Sequence, residues 1–162
     1  MSAERARELL MSGVHLAREA VKKFGSGNTG PLVPGSIGSY GAYLHDTSEY
    51  TGTFAEKMTV EELKDWHRPQ VEGLSAAGAD LLAFETIPSI KEVKAVVELL
   101  AEFPDSSAWL SFSCKDEKHI SDGSTFAEAV EVASRSAQLL AVGVNCCSPT
   151  VVEPPWTLPA LS

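Results

Sequence analysis

Cys146 and Cys147 stand side by side in this 162-residue chain, directly after Asn145 and an apolar run that begins at Ala141. A run of small and β-branched residues bounded by polar ones reads as a buried strand, with Cys146 at its carboxyl end. In α/β proteins that end is where chemistry is usually assembled. The competing reading is that a free cysteine simply fills the core as a small hydrophobe. Three cysteines, two of them adjacent, make no disulfide framework, so if they matter they matter as thiols in a reducing compartment.

Glu85 is the second candidate. Side chains alternate across a strand, so in the run 81–87 Leu82, Phe84 and Thr86 face one way and Ala83, Glu85 and Ile87 the other. The bulky set suits a covering of helices, which points Glu85 to the inner side, where a carboxylate needs a partner or solvent. The same logic in the run 108–114 sends Leu110, Phe112 and Cys114 to the helices and Trp109, Ser111 and Ser113 inward. His45, Asp46 and Glu49 could supply metal ligands from a loop, although such residues are more often solvated. Asp65, His67 and Arg68 read as the wet face of a helix, and His15 and His119 have no partner identifiable from the sequence. No nucleophile elbow, zinc-protease helix or glycine-rich phosphate loop occurs.

The elements that must carry these residues alternate. Leu9, Leu10, Gly13, Val14, Ala17, Ala20, Val21 and Phe24 recur at helical spacing, predicting a helix over 3–24 that Gly25 stops in a left-handed cap. A glycine-rich loop follows, then a short strand over 31–35, where Pro34 favours an end or an edge. Residues 36–57 lack periodicity and read as a long loop, of the kind that is usually functional. Three helices then begin alike, Thr59 with Glu62, Ser89 with Glu92 and Thr125 with Glu128 each forming a capping box. Pro69 should kink the first of them. With strands at 81–87, 108–114 and 141–146 between them, this is a βαβ series on a parallel sheet.

Length predicts one domain with a sizeable core. The formal net charge of −9 argues against nucleic acid and anionic membranes as partners. No apolar run reaches the roughly 18 residues of a membrane span, and the N-terminus reads as neither signal nor transit peptide, which places the chain in the cytoplasm. An inner face with small and polar residues at its carboxyl end fits a (β/α)8 barrel better than a doubly wound sheet.

Gly35-Ser-Ile-Gly-Ser-Tyr-Gly-Ala-Tyr-Leu, Asp46, Glu49-Tyr-Thr-Gly52, His67-Arg-Pro-Gln-Val-Glu72, Gly78-Ala-Asp-Leu-Leu-Ala-Phe-Glu-Thr-Ile-Pro88, Ser111-Phe-Ser, Ser121-Asp-Gly123 and Gly143-Val-Asn-Cys146 together resemble the homocysteine S-methyltransferase family. The resemblance implies a (β/α)8 barrel in which zinc, held by three cysteine thiolates, binds the thiol of homocysteine. Cys146 then corresponds to the first zinc ligand, ending the sixth strand, and Glu85, ending the fourth, to a residue that holds the amino acid part of homocysteine. Zinc lowers a thiol's pKa and leaves a coordination position open, so that a thiolate attacks the methyl group of S-methylmethionine or S-adenosylmethionine, giving methionine.

The departures from the family pattern carry expectations too. The adjacent cysteine pair that supplies the other two ligands from the eighth strand is missing, as are the first two strands, so the chain reads as strands three to six of eight. Residues 1–147 form the partial barrel and 148–162, with prolines at 149, 154, 155 and 159, a tail unlike the family. Such a fragment is expected to be inactive alone. The alternative is a non-catalytic chain that associates with a full-length partner or with itself through open sheet edges.

Overall fold

The computed structural model describes residues 2–25 and 30–152. Helix α1 (Ala3–Phe24) starts where the Ser2 side chain accepts the Arg5 N–H, and carries Glu4 in its first turn and Lys22 and Lys23 in its last, as the helix dipole favours. It buries Val14 and rests Leu10 and Val21 on the core, while Leu16 and Phe24 stay exposed. Gly25 does not adopt the left-handed cap its type suggests: its φ of −68° and ψ of 135° are extended. Its N–H closes the last turn on Val21 O at 2.7 Å, and a Cβ there would sit 2.5 Å from that oxygen. Glycine is required here by close approach rather than by positive φ. The glycine-rich loop at 26–29 lies outside the described residues, as do residues 153–162 of the expected tail; Pro149–Val151 forms one 3₁₀ turn.

Four strands, β1 (Pro34–Gly38), β2 (Leu81–Ile87), β3 (Ala108–Phe112) and β4 (Leu139–Val144), lie in the order β1-β2-β3-β4, each parallel to its neighbour. β1 falls three residues later than the sequence predicts, and β4 two residues earlier, with Leu139 its one buried residue, so the strand expected over 141–146 neither reaches Cys146 nor is buried throughout. Pro34 opens β1, the position where a missing N–H costs no ladder bond. The long loop predicted over 36–57 is instead the end of β1, a short helix α2 (Tyr40–Leu44) and two 3₁₀ turns, Ser48–Tyr50 and Thr53–Glu56. Elements this short leave no apolar period to read. Tyr40 packs edge-on against Trp66, ring centroids 5.3 Å apart, so this excursion is fixed to the helix that follows.

Helices α3 (Val60–Ala76), α4 (Ile90–Leu100) and α5 (Phe126–Ala133) alternate with the strands, and α3 runs through Pro69. The Thr59/Glu62 and Thr125/Glu128 capping boxes are present. The third is not. Ser89 accepts the Lys91 N–H at 3.2 Å, and Glu92 turns inward to accept the Tyr40 N–H at 2.7 Å and meet His67 Nε2 at 2.9 Å. His67 and Glu92 are both fully buried, so His67 does not lie on a wet face with Asp65 and Arg68. The packing of α3 on α4 encloses that stripe, and the carboxylate is what makes a buried imidazole tolerable there.

α1 packs on α3, α3 on α4 and α4 on α5, a single layer of helices over one face of the sheet. Ile37, Leu82, Phe84, Leu110 and Phe112 meet Val71, Leu74, Val93, Val96 and Val130 beneath that layer. The other face carries Ser36, Gly38, Ala83, Glu85, Trp109, Ser111, Ala141 and Gly143, small or polar residues as the alternation predicts. Asp80, before β2, accepts the Val33 N–H at 2.6 Å and pairs with Arg18 at 2.8 Å, tying α1 to the sheet. The Arg18 guanidinium, more than the Val33 N–H, holds its carboxyl below the usual range. Among the described residues no helix is long and apolar enough to cross a membrane.

Candidate functional site

The helix-free face becomes polar toward the carboxyl ends of the strands. Gly38 pairs with Glu85 and Gly143 with Ser111, and although the β2–β3 register shifts just after the Phe84–Leu110 pair, Glu85 and Ser111 belong to the same row on neighbouring strands. Glycines in the two outer strands keep this row open, since a Cβ at Gly38 or Gly143 would meet nothing within 4 Å. Glu85 is half-buried and accepts the Trp109 indole N–H at 3.2 Å through Oε1. The Ser111 hydroxyl is buried without a partner among the described residues.

Cys146 lies two residues beyond β4, exposed, with a left-handed backbone at φ 51°. Its thiol accepts the Thr86 hydroxyl at 3.4 Å. Asn145 closes the arrangement: its Oδ1 accepts the Thr86 N–H at 3.0 Å, its Nδ2 donates to Thr86 Oγ1 at 3.1 Å, and its own N–H reaches Phe112 O at 3.0 Å. The ends of β2 and β4, separated in the sheet by β3, are thereby clasped together. Thr86 sits at φ 62°, a region that costs a β-branched residue about 1–3 kcal/mol and persists only where neighbours enforce it.

That strained residue corrects the facing inferred for the end of β2. Thr86 does not face the helices and Ile87 does not face inward; the register shifts between Phe84 and Ile87, Ile87 is fully buried in the main core, and Thr86 turns to Asn145 and Cys146. Neither Thr86 nor Asn145 stands out as a site residue by type. The available signal was an amide ending an apolar run beside a thiol; nothing in the alternation marks Thr86, because the alternation fails at that residue.

Cys147, though adjacent, belongs to another neighbourhood. It lies against Cys114, whose thiol is pushed up to about 12, first by burial and then by Cys147 beside it. His45 is exposed at the end of α2 in the left-handed region, Asp46 accepts the Ser48 N–H at 3.0 Å, and Glu49 keeps Oε2 enclosed without a partner. These three do not converge on a metal position, and His119 is paired with Asp116 at 2.8 Å. Among the described residues no group of three or more His, Cys, Asp or Glu side chains could hold a metal ion. The residues present therefore do not by themselves fit a zinc ion: Cys146 is one thiol at an open strand end.

The remaining family-like motifs build the rim of this face. Asp122 accepts the Ile90 N–H at 2.8 Å and donates its own N–H to Pro88 O at 2.9 Å, fixing the start of α4. Gly52, at φ 69°, lies where a Cβ would come within 2.9 Å of the Asp122 Cβ. The Ser121 hydroxyl donates to Ser113, which donates to Glu49 O at 2.7 Å, so the loops after β1, β2 and β3 lock into one another.

A four-stranded parallel sheet with helices on one face and an open polar row at the strand ends defines half of a (β/α)8 barrel. The homocysteine S-methyltransferase family model matches residues 1–157, and the chain belongs to that family. It is 46% identical to the betaine-homocysteine S-methyltransferase of Drosophila melanogaster over 168 residues, covering 95% of this chain and 51% of that protein. Against the homocysteine S-methyltransferase of Escherichia coli it is 42% identical, covering 87% and 46%. The metallated form of the Escherichia coli homocysteine methyltransferase MmuM superposes with a TM-score of 0.89 at 39% identity, covering 94% of this chain and 53% of that one. The chain thus spans about half the length of the relatives it matches.

Proposed function

We propose that this chain carries part of the barrel of a zinc-dependent homocysteine S-methyltransferase, with Glu85 holding the amino acid head of homocysteine and Cys146 contributing one thiolate ligand to the metal. In the reaction the homocysteine sulfur forms a bond to the methyl carbon of S-methylmethionine or S-adenosylmethionine, the sulfonium C–S bond breaks, and a neutral thioether leaves as methionine forms. The observation that carries the reading is the clasp through Thr86 and Asn145. It brings a carboxylate-bearing strand and a thiol-bearing strand end to one rim of the helix-free face. The other metal ligands belong, on this reading, to barrel strands other than these four. No catalytic role falls to any residue of this chain acting alone.

The test is metal content of protein purified without chelator, beside Cys146→Ser. Well under one zinc per chain is expected in both, and no methylation of homocysteine by the isolated chain. Stoichiometric zinc that disappears in Cys146→Ser, or turnover, would sink the view that this half is incomplete.

The same half-barrel geometry supports association with a second copy or a longer relative. Among the described residues β1 and β4 each pair on one side only, and Leu140, at a register shift in β4, is 65% exposed. Sedimentation should show species above 17.3 kDa at micromolar concentration; a monomer with a sharp, concentration-independent melt would contradict it.

A further inference from the structure

We propose that Trp109 is the positioning residue for Glu85: its indole N–H pins one carboxylate oxygen and leaves the other as the single acceptor offered to an α-ammonium group. This rests on the reading of Glu85 given above. Trp109 lies opposite Ala83, two residues before Glu85 along β2, so the contact is a diagonal one that only a long aromatic side chain spans. The result is directional. Oε1 is occupied at 3.2 Å, whereas Oε2 has no hydrogen bond among the described residues and is not one of the enclosed oxygens. Ser111, the neighbouring hydroxyl in the same row, does not donate to either oxygen; it is buried with no partner among the described residues. The glycines at 38 and 143 leave the space on either side unfilled.

Two consequences follow for the chemistry of the site. A free carboxylate rotates about its last bond and presents either oxygen, so an incoming ammonium finds several geometries; a carboxylate held by an indole presents one. Oε1 is also already engaged by the indole, so a cation is received through Oε2. The indole therefore acts on the ligand through Glu85, without touching the reacting sulfur.

The experiment has two arms. In the first, ¹⁵N–¹H spectra of the ligand-free chain are followed across the carboxylate range. The Trp109 indole resonance, assigned by its loss in Trp109→Phe, should move along one titration curve in the native chain and stay flat in Glu85→Gln. An indole resonance that is insensitive to pH, or that moves equally in Glu85→Gln, overturns the proposal, and this arm needs no Trp109 variant to be stable.

In the second arm, L-homocysteine binding is measured against pH. Glu85→Gln should abolish it, and Trp109→Phe should weaken it about tenfold, the value of one hydrogen bond to a charged group. Loss of binding in Glu85→Gln with an unchanged affinity in Trp109→Phe overturns the positioning role and leaves the Glu85 reading intact. Undiminished binding in Glu85→Gln overturns both. If the native chain binds no homocysteine, the Glu85 reading fails for this chain and the first arm alone decides the coupling.

Discussion

Replacing Glu92 by alanine is expected to lower the unfolding free energy by about 3 kcal/mol, the upper end of the cost of leaving buried polar groups without their hydrogen-bond partner. Glu92 is fully buried, and Oε1 serves two groups at once, the Tyr40 N–H at the start of α2 and His67 Nε2 on α3. Alanine leaves the imidazole enclosed with neither nitrogen paired, since Nδ1 already lacks a partner. It also leaves the first N–H of α2 unsatisfied. The loss falls on three elements together: α2 follows β1, α3 and α4 follow one another in the helix layer, and Glu92 is where they meet. For a chain of this length the melting temperature should fall by roughly 6–12 °C. Urea unfolding followed by circular dichroism, with Glu92→Gln alongside, makes the argument specific. Glutamine keeps an oxygen for the Tyr40 N–H and should lose less than alanine. A Glu92→Ala chain within 0.5 kcal/mol of the native one would mean that the pair is replaceable by packing alone.

Glu92 also shows where the sequence misleads. Ser89 and Glu92 have the spacing of a capping box, as Thr59/Glu62 and Thr125/Glu128 do, and only the last two form one. The local pattern is the same in all three; what differs is a partner 25 residues away, His67, which captures the carboxylate. Tertiary contacts of that range leave no periodic trace. β2, β3, β4 and the four longer helices were legible because each carries a repeat long enough to read, with β2 and α1 matching to the residue and β4 forming two residues earlier than expected. β1 and α2 were displaced or missed because elements of five residues each, Pro-Gly-Ser-Ile-Gly and Tyr-Gly-Ala-Tyr-Leu, are too short to show either period. At the site, the inward facing of Glu85, Trp109 and Ser111 followed from alternation alone. Thr86 did not, because its left-handed backbone breaks the alternation at the residue that matters.

Asn145→Ala is the second large effect expected, a loss of about 2 kcal/mol together with a change in the chemistry of Cys146. Asn145 supplies an acceptor to the Thr86 N–H and a donor to Thr86 Oγ1, and both groups are only partly reached by solvent. Two opposing terms follow from its removal. The unpaired Thr86 groups cost stability, and Thr86 becomes free to leave φ 62°, which returns part of its strain. The first wins only if the backbone stays in place, and the burial of Ile87 directly after Thr86 argues that it does: relaxing Thr86 would draw a fully buried side chain out of the core. The Thr86 hydroxyl, no longer oriented by Asn145, stops donating to the Cys146 sulfur, which leaves the sulfur lone pair open. Alkylation of Cys146 by iodoacetamide, read by peptide mapping at neutral pH, should therefore quicken, the residue being exposed already. Asn145→Asp separates the two contributions. It retains the acceptor for the Thr86 N–H, so most of the stability should survive, but it loses the amide donor to Thr86 Oγ1, so the hydroxyl can turn from the sulfur and alkylation should still quicken. Native stability and native alkylation in Asn145→Ala would mean that the clasp is not what holds the ends of β2 and β4 together, and that the left-handed Thr86 is imposed by the core beneath it.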